Sequence, residues 1–148
     1  MDEDVSVEEG ELGRVVLTDL YNKALPFIRY ANGDLAIAKK IVNGQCVEIA
    51  SLEGREISAL RKTDGTLLSE TNIMGRFKKF TDISRYQIIQ TAQSAYTMRL
   101  ENAPASIDAK CLAEMNTIFG DDAVITIEHV DDIPCEKNGK FKVTISMV

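Results

Sequence analysis

The sequence predicts an α+β chain built in two parts: a few strands without a helix over residues 1–57, then a small α-β-β-α-β sandwich over 58–148. Three observations carry this. Before Ser58 the apolar residues fall in short β-branched or alternating runs broken by Asn, Gly and Pro. After it, two stretches space their apolar residues as helices do, one through Ile73, Met74, Phe77 and Phe80 and the other through Leu112, Met115 and Phe119. Strand-like runs lie between and after them, in an order that sets helices on one face of a sheet.

In the first part, Val15, Val16 and Leu17 form a β-branched run, and residues 22–26 turn the chain. Residues 27–30 read as extended, Asn32-Gly33 as a turn, and 35–42 as a strand alternating apolar with small or basic side chains. These strands are too few to close a core, so the pattern predicts that they finish a larger upstream domain. In the second part, 59–62 read as a strand closed by the turn Thr63-Asp64-Gly65, and a helix is expected to start near Ser69 or Thr71. Residues 85–90 and 95–100 are expected strands, the latter with Tyr96, Met98 and Leu100 on one side. Ser106 is the expected cap of the second helix and Gly120 its stop. Residues 124–130 form the next strand. Phe141, Val143, Ile145 and Met147 alternate with Lys142, Thr144 and Ser146, predicting a half-buried final strand.

Composition bounds the function. Apolar residues are 45% and charged residues 27% of the 148, an ordinary globular mix with no Trp and few aromatics, so the core is expected to be mostly aliphatic. A net charge of −6 argues against nucleic acid or an anionic membrane surface as partner. Six acids crowd into residues 1–11, which read as a frayed, solvated end. Cys46, Cys111 and Cys135 match no metal or redox spacing and are expected to be reduced thiols in a cytoplasmic protein. A single histidine, His129, argues against a His-based metal site or a Ser-His triad. No apolar run approaches a membrane span.

Three stretches can carry chemistry. In Pro26-Phe-Ile-Arg-Tyr-Ala-Asn-Gly-Asp34, a Gly followed by Asp presents a carboxylate that can accept two hydrogen bonds from adjacent hydroxyls, as on a ribose; a turn Asp capping its own backbone looks the same. In Leu52-Glu-Gly-Arg55, Gly lets the chain turn and Arg offers a planar donor fork to sugar or phosphate, although a solvated surface Arg has the same sequence. In Ile133-Pro-Cys-Glu-Lys-Asn-Gly-Lys140, Asn138-Gly139 forms a turn that leaves Lys140 at a loop tip, either reaching for a phosphate or merely solubilising a hairpin.

Taken together and in this order, the stretches resemble the adenylate-forming acyl- and aryl-CoA ligases. The branch they are most similar to is that of phenylacetate–CoA ligase and the capsular-polysaccharide-type adenylating proteins. The resemblance runs through Thr18-Asp-Leu-Tyr-Asn22, Pro26-Phe-Ile-Arg-Tyr30, Gly33-Asp-Leu35, Glu53-Gly-Arg55, Asp64-Gly65, Tyr86-Gln-Ile-Ile-Gln90 and Ile133-Pro134 to Asn138-Gly-Lys140. It implies that Asp34 binds the ribose hydroxyls of ATP or AMP, that Arg55 supports the same region, and that Lys140 is the lid lysine of adenylation. It implies a hinge just after Arg55, near Ser58, between the end of an N-terminal adenylation domain (1–57) and a C-terminal lid (58–148), with Asp64-Gly65 lining the acceptor tunnel. The resemblance further implies a carboxylic acid substrate and CoA or another nucleophile as acceptor. Ser58 and the absence of a Cys-Pro-Cys-Gly-type stretch depart from close relatives and bear on thiol transfer more than on adenylation.

The nine glycines are scattered singly, so no phosphate loop is present, and the adenine pocket and the Mg2+ ligand are expected in an upstream domain or partner subunit. The isolated chain is therefore expected to be inactive and to self-associate through residues 1–57, whose apolar strands lack partners. A non-catalytic ligand-binding or protein-interaction α+β module remains the alternative.

Overall fold

The computed structural model describes residues 5–22, 24–135 and 139–148. The chain separates into two compact units, Met1–Glu56 and Ile57–Val148.

The first unit is an antiparallel sheet of β1 (Leu12–Leu17), β2 (Tyr30–Val42) and β3 (Gln45–Arg55), in the order β1-β2-β3. Asn43-Gly44, both at positive φ, joins β2 to β3 in the tight hairpin that an Asn-Gly pair favours. Leu35, Ala36 and Ala38 are buried, whereas β3 is exposed along most of its length. Three sequence expectations change here. Asn32-Gly33 lies inside β2 as a bulge and not at a turn, because the sheet continues through it on both sides. Residues 27–30 are not extended: Arg29 takes φ 50°, its N–H donating to Thr18 Oγ1, and only Tyr30 enters β2. The acidic start is not frayed where it is described. Gly10 N–H donates to Ala38 O, Ala38 N–H to Glu11 O, Ile41 N–H to Glu9 Oε1 and Ser6 Oγ to Gly44 O, so this segment lengthens the pairing along β2. Residues 1–4, also part of that expectation, lie outside the described residues.

The second unit begins with the short hairpin β4 (Leu60–Arg61) and β5 (Leu67–Leu68), followed by α1 (Glu70–Phe77). Next come β6 (Arg85–Ala92), β7 (Ala95–Glu101), α2 (Asp108–Phe119), β8 (Val124–Val130) and β9 (Thr144–Ser146). The sheet order is β8-β7-β6-β9, with β6 and β7 antiparallel and the outer pairs parallel. This is the predicted α+β class and the α-β-β-α-β order. Strand alternation turns Tyr96, Met98 and Leu100 to one face, where they meet Ile73 and Phe77 of α1 and Met115 and Phe119 of α2 in a single core. Each such large apolar side chain contributes about 1.5–3 kcal/mol on burial, and the stacked Tyr96 and Phe119 rings, centroids 4.1 Å apart, add to it.

Helix ends follow local chemistry. Ser69, fully sheltered, caps α1 by accepting from Asn72 N–H at 3.1 Å. Ser106 is not the cap of α2: a 3-10 turn (Ala105–Ile107) after Pro104 leads into the helix without a side-chain cap. The buried stripe of α2 runs through Cys111, Met115, Ile118 and Phe119, with Leu112 only half-buried, and Met74 of α1 is likewise on the exposed side. The final strand is shorter than its alternation suggests. It pairs as a parallel edge with β6 and buries Thr144, whose hydroxyl donates to Ser58 O, leaving Met147 exposed. A polar residue with a backbone acceptor waiting for it thus displaces the simple apolar-in pattern.

Candidate functional site

Of the three side chains singled out in the sequence, the fold brings Asp34 and Arg55 together. They are register partners across β2 and β3, with Arg55 Nε 3.3 Å from Asp34 Oδ1. The bulge makes this possible. Between the paired positions Arg14–Leu35 and Val16–Ala31, β1 supplies only Val15 while β2 must accommodate Asn32, Gly33 and Asp34. Gly33 takes φ 79°, a backbone state natural to glycine, and a bulge of this kind re-aims the side chains beside it.

Asn32, in sequence no more than a turn-forming residue, grips Asp34 twice. Its Nδ2 donates to Asp34 Oδ2 at 2.8 Å, and its Oδ1 accepts Asp34 N–H at 3.0 Å. A carboxylate offers about four acceptor positions on its two oxygens. One on each is engaged, and the side chain keeps 30% exposure, so two acceptors remain for neighbouring hydroxyls. Arg55 is 69% exposed, so its guanidinium is accessible to solvent.

The Asp64-Gly65 turn in the second unit is held from below. Lys62 N–H bonds Thr66 O, and Asp64 Oδ1 accepts Thr66 N–H at 2.8 Å. That backbone bond is also the main reason the Asp64 carboxyl lies below the ordinary carboxylate range. Beneath the turn, the fully buried Gln90 accepts Arg61 N–H and donates to Arg61 O, while Tyr96 Oη donates to the same carbonyl at 2.6 Å. Burial, aided by Asp122 and Asp64, raises the Tyr96 hydroxyl to about 12, so it stays a donor. Thr63 ties the turn to the end of α2, both its N–H and its hydroxyl donating to Phe119 O. Gln90 and Tyr96 were legible only as strand residues, because neither spacing nor composition reveals which polar group a strand will bury.

Lys140 is exposed, follows Gly139 at φ 78°, and precedes the half-buried Phe141, over whose ring the Arg85 guanidinium sits at 5.3 Å. The expected Asn138 half of the turn, with Glu136 and Lys137, lies outside the described residues. The stretch is anchored upstream where buried Ile133 donates its N–H to Glu101 Oε2 at 2.9 Å.

Cys46 and Cys135 are exposed and Cys111 buried, all as free thiols. Among the described residues no three His, Cys, Asp or Glu side chains gather as metal ligands would, and no helix is long and apolar enough to cross a membrane.

The same architecture occurs in solved ligases. An open conformation of 2-hydroxyisobutyryl-CoA ligase, in complex with 2-HIB-AMP and CoA, matches 94% of this chain and 33% of its own at 18% identity and a TM-score of 0.61. The postadenylation state of that ligase with R3-HIB-AMP matches 95% and 33% at 19% identity and a TM-score of 0.54. At these identities the likeness concerns the fold: this is the fold of the C-terminal part of an adenylate-forming ligase, and the chain spans about a third of the length of those enzymes. Residues 60–147 match the CapK C-terminal domain, and the chain belongs to that family. No curated protein matches it.

Proposed function

We propose that this chain is the C-terminal portion of an ATP-dependent ligase that converts a carboxylic acid to its acyl-adenylate and then passes the acyl group to CoA or another nucleophile. The observation that carries the reading is the Asp34–Arg55 pair, a carboxylate with two free acceptor positions beside an exposed guanidinium, on a fold shared with acyl-CoA ligases. Asp34 would accept from the ribose hydroxyls of ATP or AMP, and Arg55 would orient that carboxylate and donate towards the sugar or phosphate. In adenylation the acid's carboxylate oxygen attacks the α-phosphorus and pyrophosphate leaves. Lys140 would place its ammonium where charge builds on the reacting oxygens, a contribution that needs only a preorganised cation. Glu56–Ser58, a single 3-10 turn immediately after Arg55, would be the hinge between the adenylation part and the lid. Mg2+, the phosphate loop and the acid pocket would come from an N-terminal adenylation domain or partner subunit.

Pyrophosphate exchange tests this. The chain alone should show none, and the complete ligase should lose adenylation by about 10²-fold on Lys140→Ala, with ATP affinity little changed. Unchanged exchange in that variant would return the chain to a non-catalytic binding or interaction module.

A further inference from the structure

The double grip on Asp34 has a purpose that the carboxylate alone does not serve. A carboxylate on an exposed strand rotates about its terminal torsion, which is broad and nearly two-fold. For a diol to bridge it, the plane must be held so that both remaining acceptor positions face one way. Arg55 holds only Oδ1, through one long contact at 3.3 Å from a side chain that is itself 69% exposed. Asn32 holds the other oxygen at 2.8 Å, and its own amide is locked because Oδ1 is bound to Asp34 N–H at 3.0 Å. The two bonds close a ring between one side chain and the residue two positions on, across a glycine whose positive φ folds them together and beside which a Cβ-sized space stands open. Had Asn32 served only the bulge, its Oδ1 bond to the backbone would have sufficed. The second bond, from Nδ2 to the carboxylate, fixes the direction of the acceptor.

We infer that Asn32 is a positioning residue for ribose recognition, setting the plane of the Asp34 carboxylate so that the site distinguishes a ribose from a deoxyribose. The inference rests on the ribose role proposed for Asp34. Asn32 itself need not touch the nucleotide. A hydrogen bond to a charged acceptor is stronger than a neutral one, so its loss is large enough to read as selectivity.

The complete ligase is assayed by pyrophosphate exchange with ATP, 2′-deoxy-ATP and 3′-deoxy-ATP, comparing wild type, Asn32→Ala, Asn32→Thr, Asp34→Ala and the double variant with both alanines. Asn32→Ala should lower the preference for ATP over each deoxy analogue by about tenfold, chiefly through KM for ATP, while KM for the deoxy analogues stays within about twofold. Asn32→Thr, which keeps a hydroxyl donor within reach, should restore most of the preference. The double variant should be no less selective than Asp34→Ala. If Asp34→Ala abolishes selectivity and Asn32→Ala leaves it intact, the inference about Asn32 fails alone. If Asp34→Ala leaves selectivity intact, the ribose reading itself fails. Equal loss with all three nucleotides in Asn32→Ala would mark a merely structural residue and also overturn the inference. Circular dichroism of each variant identifies any that fail to fold, and Asn32→Thr then carries the comparison.

Discussion

Gly120 offers the sharpest test of how the second unit is held together. It ends α2 at φ 120° and ψ 155°, a backbone region open essentially to glycine alone, and its N–H closes the helix onto Asn116 O at 2.9 Å. A Cβ added there would lie 2.3 Å from Thr63 Oγ1 and 2.9 Å from Asp122 Oδ1. Gly120→Ala therefore costs about 1–3 kcal/mol of backbone strain. Thr63 must also swing away and surrender its hydroxyl bond to Phe119 O, worth about 1 kcal/mol more. A total of about 2–4 kcal/mol corresponds to a fall in melting temperature of roughly 10–25 °C for a unit of this size. Gly65→Ala is the control: it too has positive φ, but nothing lies within 4 Å of its added Cβ, so only strain of about 1–2 kcal/mol remains. Thermal unfolding followed by circular dichroism reads both. In the background of Thr63→Ala the clash with the hydroxyl is gone, and Gly120→Ala should cost less than it does alone. Equal losses for the two glycine variants, or strict additivity with Thr63→Ala, would refute the account of α2 and the Asp64-Gly65 turn as one braced element.

Thiol titration with an aromatic disulfide should label Cys46 and Cys135 in the folded chain and Cys111 only after denaturation. Burial, then Asp108, pushes the Cys111 thiol up to about 11 from 9.0, so the unfolded chain loses that proton first; the stability this thiol contributes is full below pH 9 and is lost as pH rises towards 11, a decline that Cys111→Ala should make shallower in urea melts. Trypsin should cut after Arg55, where Arg55 and Ile57 are 69% and 76% exposed, leaving a compact monomeric piece from Glu56 onward, and sedimentation should find the whole chain self-associated through β3, an exposed edge strand carrying Val47 and Ile49. A monomeric chain resistant to trypsin at that bond would overturn both the hinge and the self-association.

Legibility in the sequence followed periodicity. The helical stripes of α1 and α2 and the alternation of β7 repeat often enough to average out exceptions, and each has its place in the core. The hairpin between β2 and β3 carried a clear signal, Asn43-Gly44 between apolar runs, yet the competing pair Asn32-Gly33 drew the turn to itself. The same dipeptide serves a hairpin in one place and a bulge in the other, and only the length of strand on either side distinguishes them. Ser106 and Thr144 depart from the local pattern because the fold decides their places: Ser106 falls inside a 3-10 entry that has no side-chain cap, and Thr144 is buried where Ser58 O accepts its hydroxyl. At the site, Asp34 and Arg55 were visible as chemistry but their pairing was not, since it depends on the β2–β3 register.

The placement of the three side chains has a consequence for the proposed reaction. Asp34 and Arg55 belong to Met1–Glu56 and Lys140 to Ile57–Val148, and the 3-10 turn Glu56–Ser58 begins immediately after Arg55. Any change of backbone angles at that turn leaves the β2–β3 register upstream untouched, because Arg55 is the last residue of β3 and already paired. In the proposed reaction, a ribose held at Asp34 and a cation carried by Lys140 would thus be mechanically independent. Adenylation followed by acyl transfer calls for such independence: the nucleotide must stay bound through both steps, while a cation suited to the first would crowd an acceptor arriving for the second. A lysine on the same sheet as Asp34 could not leave without disturbing the ribose. In the proposed reaction Lys140 would instead travel with the unit that carries it, whose chain is anchored at Ile133 and at Thr144.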